Sequence, residues 1–256
     1  MVVGLEKFKD FFKEYEGCYL IIGGTACDII IESRGFNPRA TNDIDIILII
    51  EAITPDFVAR FWDFILLGRY GIQQKDTVER NSYRFEEPEE EGFPLQLELF
   101  CRIPDSIDLI ESSHLTPIPV EEGLSNLSAI LLDEEYYNFT KEHSFYDNDI
   151  HIANIETLIC LKAFAYLDNR KRKENGAEIH NWNIIKHKYD VFRLVFLLQA
   201  DENFELPDRM KADLQAFADI VKDNLPDAQI FRNNRFGKQN MQSIFERLIQ
   251  IFNLKA

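Results

Sequence analysis

The stretch from Tyr19 to Leu48, YLIIGGTACDIIIESRGFNPRATNDIDIIL, constrains the fold more than any other part of the chain. An apolar run ends at Gly23-Gly24-Thr25, a short helical pattern follows, and a second apolar run carries Asp43 and Asp45. Side chains alternate across a strand, so Asp43 and Asp45 share one face while Ile44 and Ile46 turn to the core. Two carboxylates side by side repel each other. A cation between them relieves that repulsion, and an all-oxygen donor set suits Mg²⁺. At the glycine pair a strand hands over to a helix N-terminus, where unpaired backbone N–H groups and the helix dipole favour an anion. Taken singly, Gly-Gly reads as a tight turn and Asp-x-Asp as solvent-facing acids. In this order and at this spacing they point to a phosphate cradle beside metal carboxylates.

The neighbouring pattern predicts an amphipathic helix at the N-terminus, a strand over 18–22, and a helix over 25–34 stopped by Gly35. Thr25-x-x-Asp28 before an apolar run is a capping-box pattern, which sets the expected helix start at Thr25. A strand over 43–50 and a helix over 56–69, opened by Pro55, come next. Runs 77–86 and 95–103 read as an antiparallel hairpin across the acidic turn EEPEEEGFP. In the second run Glu98 interrupts a hydrophobic strand, which makes it a candidate third carboxylate; its alternative is an acid on an exposed hairpin face. A further strand is expected over 127–132. Beyond it the pattern turns helical, over 134–143, 154–169, 187–199, 207–224 and 240–252. The expected architecture is α+β: a mixed sheet with flanking helices over 1–132, then a mainly helical half over 133–256.

Composition narrows the classes. Forty-six per cent of residues are hydrophobic and 28% charged, as in ordinary globular chains. No apolar run approaches the ~20 residues that span a bilayer. The N-terminal segment lacks a signal-peptide core and cleavage site, so the expectation is a cytoplasmic protein with no membrane role. Cys18, Cys27, Cys101 and Cys160 show no metal-ligand spacing, and three of them lie in apolar patterns that suggest buried thiols. The five histidines likewise show no ligand spacing. A net charge of −16 argues against a broad, sequence-independent grip on nucleic acid. It leaves room for a local basic groove, a cationic acceptor or a basic protein partner.

GGTA followed by RATNDIDIIL resembles the nucleotidyltransferase superfamily with the DNA polymerase β-like fold, and within it the AbiEii-type abortive-infection toxins. The resemblance is sharpest over 19–50 and extends more loosely over 127–194. It implies a nucleotidyltransferase-like sheet with a helical half completing the nucleotide cleft. It also implies transfer of a nucleoside monophosphate from an NTP to an acceptor hydroxyl with Mg²⁺ or Mn²⁺. Asp43 and Asp45 would then hold metal, Gly23, Gly24 and Thr25 would line the triphosphate, and Glu98 would be the third metal carboxylate. The acceptor it implies is RNA or a tRNA end, with a cognate antitoxin as partner. Alternatives are a small-molecule transferase of the aminoglycoside-modifying kind, nucleotide transfer onto a protein, and a nucleotide-binding protein without turnover.

Lys162 adds an independent observation. It is the one charged residue in TLICLKAFAYL, a segment apolar nearly all round and so expected to be buried. A lysine there needs an anion or a wet cavity, unless it snorkels to the surface. The resemblance assigns it to the nucleotide phosphates. Asp190 matches an acidic position of the same family, although the family's Lys-Asp-x-x-Asp reads Tyr189-Asp190-Val191-Phe192-Arg193 here; the plainer reading pairs it with Arg193 on a helix surface. Arg39 and Thr41 either fix the loop entering the Asp43 strand or touch phosphate. The run Arg170–Lys173 either complements a helix C-terminus or guides an RNA or protein partner.

Overall fold

The structure, a computed structural model, describes residues 2–39, 41–72, 82–100, 133–232 and 235–255. The chain divides into two compact units, Met1–Ala26 with Ala40–Ala153 and Cys27–Arg39 with Asn154–Ala256. The architecture is α+β. Among the described residues the first unit holds seven strands: β1 (Tyr19–Ile22), β2 (Asp43–Leu48), β3 (Gly71–Ile72), β4 (Ser82–Glu86), β5 (Gln96–Phe100), β6 (Ser144–Asp147) and β7 (Ile150–Ala153). They form one sheet in the order β3-β4-β5-β2-β1-β7-β6. β2 runs parallel to β5 and β1 parallel to β7, while the other neighbours are antiparallel. The apolar runs YLII and IDIIL supply the two central strands, whose residues after Asp43 are buried on both faces.

Helices α1 (Leu5–Phe12), α3 (Pro55–Gly68) and α4 (Glu134–Glu142) belong to this unit. Phe8 and Phe12, one helical turn apart on α1, are both buried. Phe8 meets Tyr19 edge-on at 5.3 Å, and Phe12 lies 5.3 Å from Phe64 of α3. The start of α3 follows from its sequence: Thr54 Oγ1 accepts the Phe57 amide at 3.2 Å, and Pro55 takes the first helical position.

Helix α2 (Gly23–Ser33) begins in the first unit, and the chain passes to the second at Cys27. There α5 (Ile155–Glu174), α6 (Asn181–Leu197), α7 (Asp208–Val221), the short α8 (Ala228–Arg232) and α9 (Met241–Ile251) form a helical unit. Tyr166 of α5 meets Phe217 of α7 edge-on at 5.3 Å. Phe36 stacks on Phe236 at 4.6 Å, with Phe196 beside both. Among the described residues, no helix is long and apolar enough to cross a membrane.

Several boundaries differ from the expected ones. The division falls at Ala153/Asn154 rather than 132/133, because the β6–β7 hairpin pairs with β1 and so belongs to the sheet. The sequence pattern does not predict that hairpin. Helix α2 starts at Gly23, not Thr25, and α5 runs on through the basic stretch to Glu174. The predicted strand over 127–132, parts of the two hairpin runs (77–81 and 101–103) and Cys101 lie outside the described residues. Cys18, Cys27 and Cys160 are buried free thiols.

Candidate active site

The first unit gathers one group of candidates around the end of β1. Gly23 adopts φ +69°, a left-handed conformation that glycine takes without strain. An added Cβ would stand 1.7 Å from Asp45 Oδ2, so the carboxylate lies directly against the glycine backbone. Gly24 is restricted by proximity: its Cβ would come within 2.7 Å of Thr41 Oγ1. Thr25 is not the N-cap. Its hydroxyl lies inside α2 and donates to the Asp43 carbonyl at 2.5 Å, tying the helix start to the entry of β2. Thr41 donates to Asp43 Oδ1 at 2.6 Å, and the Asn42 amide reaches the same oxygen at 3.3 Å. Asp43 is half-buried and Asp45 buried.

The sheet register brings Glu98 to this row. Asp45 pairs with Glu98 across β2 and β5, and Asp43 with Gln96, so all four side chains project from one face. Antiparallel pairing also sets Arg84 of β4 opposite Glu98. Its guanidinium donates to Glu98 Oε1 at 2.9 and 3.1 Å, and Gln96 Nε2 donates to the same oxygen at 2.5 Å. Burial pushes the Glu98 carboxyl above the usual glutamate range, while Arg84 pulls it back and Asp43 adds a further push upward. Sequence reasoning missed Arg84 and Gln96. Gln96 carried a signal, since it alternates with Glu98; Arg84 carried none, because its partner depends on the register of two strands joined by a long loop.

The second unit gathers the other group. Asp190 of α6 accepts from Arg193 at 3.0 Å, and both side chains are buried. The i,i+3 pair therefore forms, in the interior rather than on a helix surface. Lys162 Nζ stands 3.7 Å from Asp190 Oδ2, and Arg39 Nε 3.7 Å from Oδ1. Lys162 does not snorkel; it is 7% exposed. One carboxylate thus faces three cations. His187, one turn before Asp190, is held well below the usual histidine range by burial and by Lys162, Lys186 and Arg39. Burial likewise raises the Cys27 thiol to about 12.

No group of three His, Cys, Asp or Glu side chains among the described residues is arranged to hold a metal ion. The oxygen donors of Asp43 and Asp45 fit a hard divalent cation as a pair, and Asp45 Oδ2 fills the space that a Cβ at Gly23 would take. Glu98 shares their face, but its Oε1 already serves Arg84 and Gln96.

No family model and no curated protein matches the sequence. Among solved structures, the chain is similar to the crystal structure of an antigenic nucleotidyltransferase-like protein from Paracoccidioides brasiliensis. The two share 13% identity at a TM-score of 0.48, over 98% of this chain and 95% of that one. A likeness at that level assigns neither residues nor chemistry to this chain.

Proposed function

We propose that the chain is a metal-dependent nucleotidyltransferase that moves a nucleoside monophosphate from an NTP to an acceptor hydroxyl. One observation carries this reading: the glycine turn is packed against Asp45 so closely that no side chain fits at Gly23. Such contact places a helix N-terminus and paired carboxylates together, as a nucleoside triphosphate with its cation requires. In this reading Asp43 and Asp45 hold Mg²⁺ or Mn²⁺. When bound, such an ion neutralises phosphate charge and makes a hydroxyl more acidic.

The chain's own residues do the positioning. Thr41 and the Asn42 amide fix the Asp43 carboxylate, and Thr25 fixes the strand that carries it. Backbone N–H groups at Gly23–Thr25 hold phosphate oxygens. Glu98, raised by burial and restrained by Arg84, is the group on this face suited to hold the acceptor's proton. Within the second unit Asp190 keeps Lys162 and Arg39 ordered, and the resemblance assigns Lys162 to the nucleotide phosphates.

For the acceptor we favour RNA or a tRNA end, with a cognate antitoxin as protein partner, following the resemblance to AbiEii-type toxins. A small cationic acceptor of the aminoglycoside kind is a second reading, favoured by the −16 net charge. The test is incubation with each NTP labelled on its α-phosphate, Mg²⁺ and a bacterial extract, with RNA, protein and small molecules resolved. Wild type should label RNA, and Asp45→Asn should label nothing. Label in the small-molecule fraction selects the second reading. Equal labelling by Asp45→Asn overturns the mechanism.

A further inference from the structure

The second unit contains a pocket of about 420 Å³ between the end of α5, the first half of α6 and the segment around Asn224. That is within the ~300–1,000 Å³ typical of small-molecule sites. None of its residues belongs to the candidate site above. Arg170, Lys173 and Lys188 line it against two acids, Glu174 and Asp227, so its cations outnumber its acids on a chain of net charge −16. Lys188 is 5% exposed, and its ammonium donates to the Asn224 carbonyl at 2.8 Å. Burial first, and then Arg170, push that ammonium below the usual lysine range. An anion in the pocket would favour the charged ammonium and oppose the repulsion from Arg170.

The same walls carry flat aromatic surface. Tyr166 and Tyr189 both line the pocket. The Arg170 guanidinium lies 5.8 Å from the Tyr166 ring centre and the Lys188 ammonium 5.9 Å from that of Tyr189. Trp182, half exposed, leans on Tyr189 at 6.2 Å. Lys173 donates to Asn181 Oδ1 at 2.7 Å, which fixes its ammonium at the rim. Cations alternating with aromatic faces are the pattern that grips single nucleotides, phosphate on the cations and base on the rings. A carboxylate peptide would use the cations and leave the rings idle.

We infer that this pocket binds a nucleotide unit, its phosphate on Lys173, Lys188 and Arg170 and its base against Tyr189. The unit is either a free mononucleotide or the terminal residue of an RNA strand. This binding is independent of turnover at Asp43 and Asp45.

The test is titration calorimetry on the full chain in EDTA and in an Asp45→Asn background, which separates this pocket from the metal-dependent reading. The probes are AMP, adenosine, inorganic phosphate and a short oligoadenylate. AMP should bind at least about tenfold more tightly than adenosine or phosphate. Lys188→Gln and the more exposed Lys173→Gln should each weaken AMP by about tenfold while circular dichroism stays unchanged. Tighter binding of the oligoadenylate identifies a strand end as the ligand; equal or weaker binding identifies a free nucleotide. The inference is overturned if neither AMP nor oligoadenylate binds, if phosphate alone matches AMP, or if Lys173→Gln leaves AMP affinity unchanged. Failure of NTP transfer in the radiolabel assay leaves these outcomes as they are.

Discussion

At Gly23 the absence of one methyl group sets how close a backbone turn comes to a carboxylate. Gly23→Ala meets two obstacles together: φ +69° strains any L side chain, and the new Cβ would overlap Asp45 Oδ2. The strain costs about 1–3 kcal/mol, and displacement of Asp45 should abolish transfer. Urea unfolding and the radiolabel assay read the two effects separately; full activity in Gly23→Ala would remove the cradle from the mechanism. Asp190 makes the opposite case, a charge that many groups depend on. Asp190→Asn keeps the shape but leaves Arg193, Lys162 and Arg39 facing a neutral amide. Loss of one partner from a buried ion pair costs about 3–5 kcal/mol, and a urea midpoint within error of wild type would refute the hub. These two sites differ in how much the sequence reveals. Gly-Gly and Asp-x-Asp are local patterns, readable from the two-residue period of a strand. The Arg84–Glu98 and Lys162–Asp190 contacts join residues whose proximity is set by register and helix packing, which local patterns do not encode.

At the scale of elements, α2 shows a signal read correctly in kind and wrongly in role. Thr25-x-x-Asp28 has the form of a capping box, yet the helix begins two residues earlier at a glycine. The hydroxyl is spent on the Asp43 carbonyl instead. Thr25→Val should therefore cost about 0.5–1.5 kcal/mol through the lost hydrogen bond, and Thr25→Ser should recover most of it. Thermal unfolding distinguishes them; a Val variant as stable as wild type would restore the plain helix-start reading. The β6–β7 hairpin likewise lacks a recognisable local signal. Its turn uses Asn148 and Asp149, both at positive φ, where Asn-Gly would have been the recognisable pair. The strands themselves carry period-two alternation, with Ile150 and Ile152 flanking His151, but they are short. In α5, lysines and arginines near residue 170 look like the end of a helix because they suit its dipole. The helix continues to Glu174, and Gly176 at φ +98° follows it.

For the molecule as a whole, the change from sheet-forming to helix-forming sequence was legible, and its exact place was not. The place depends on which strands complete the sheet, and β7 completes it beside β1. His151 sits at that junction. It is 5% exposed, with Nδ1 3.1 Å from the Tyr19 carbonyl on β1 and Nε2 2.7 Å from Ser144 Oγ on β6. Burial lowers its pKa below the ordinary 6.5, against a smaller upward pull from the Tyr19 and Glu16 backbone. The unfolded chain therefore binds this proton more readily than the folded one, and stability falls as pH drops below about 6.5. The contribution is intact above that pH and is lost as pH falls through the lowered folded pKa. Titrating carboxylates act on the same curve, so the informative quantity is a difference between two proteins. His151→Gln cannot take up the proton, and its urea midpoint should fall less between pH 7 and pH 5 than that of wild type. Parallel curves over that interval would mean that the imidazole is protonated equally in both states, and that the β1–β7 junction tolerates the charge.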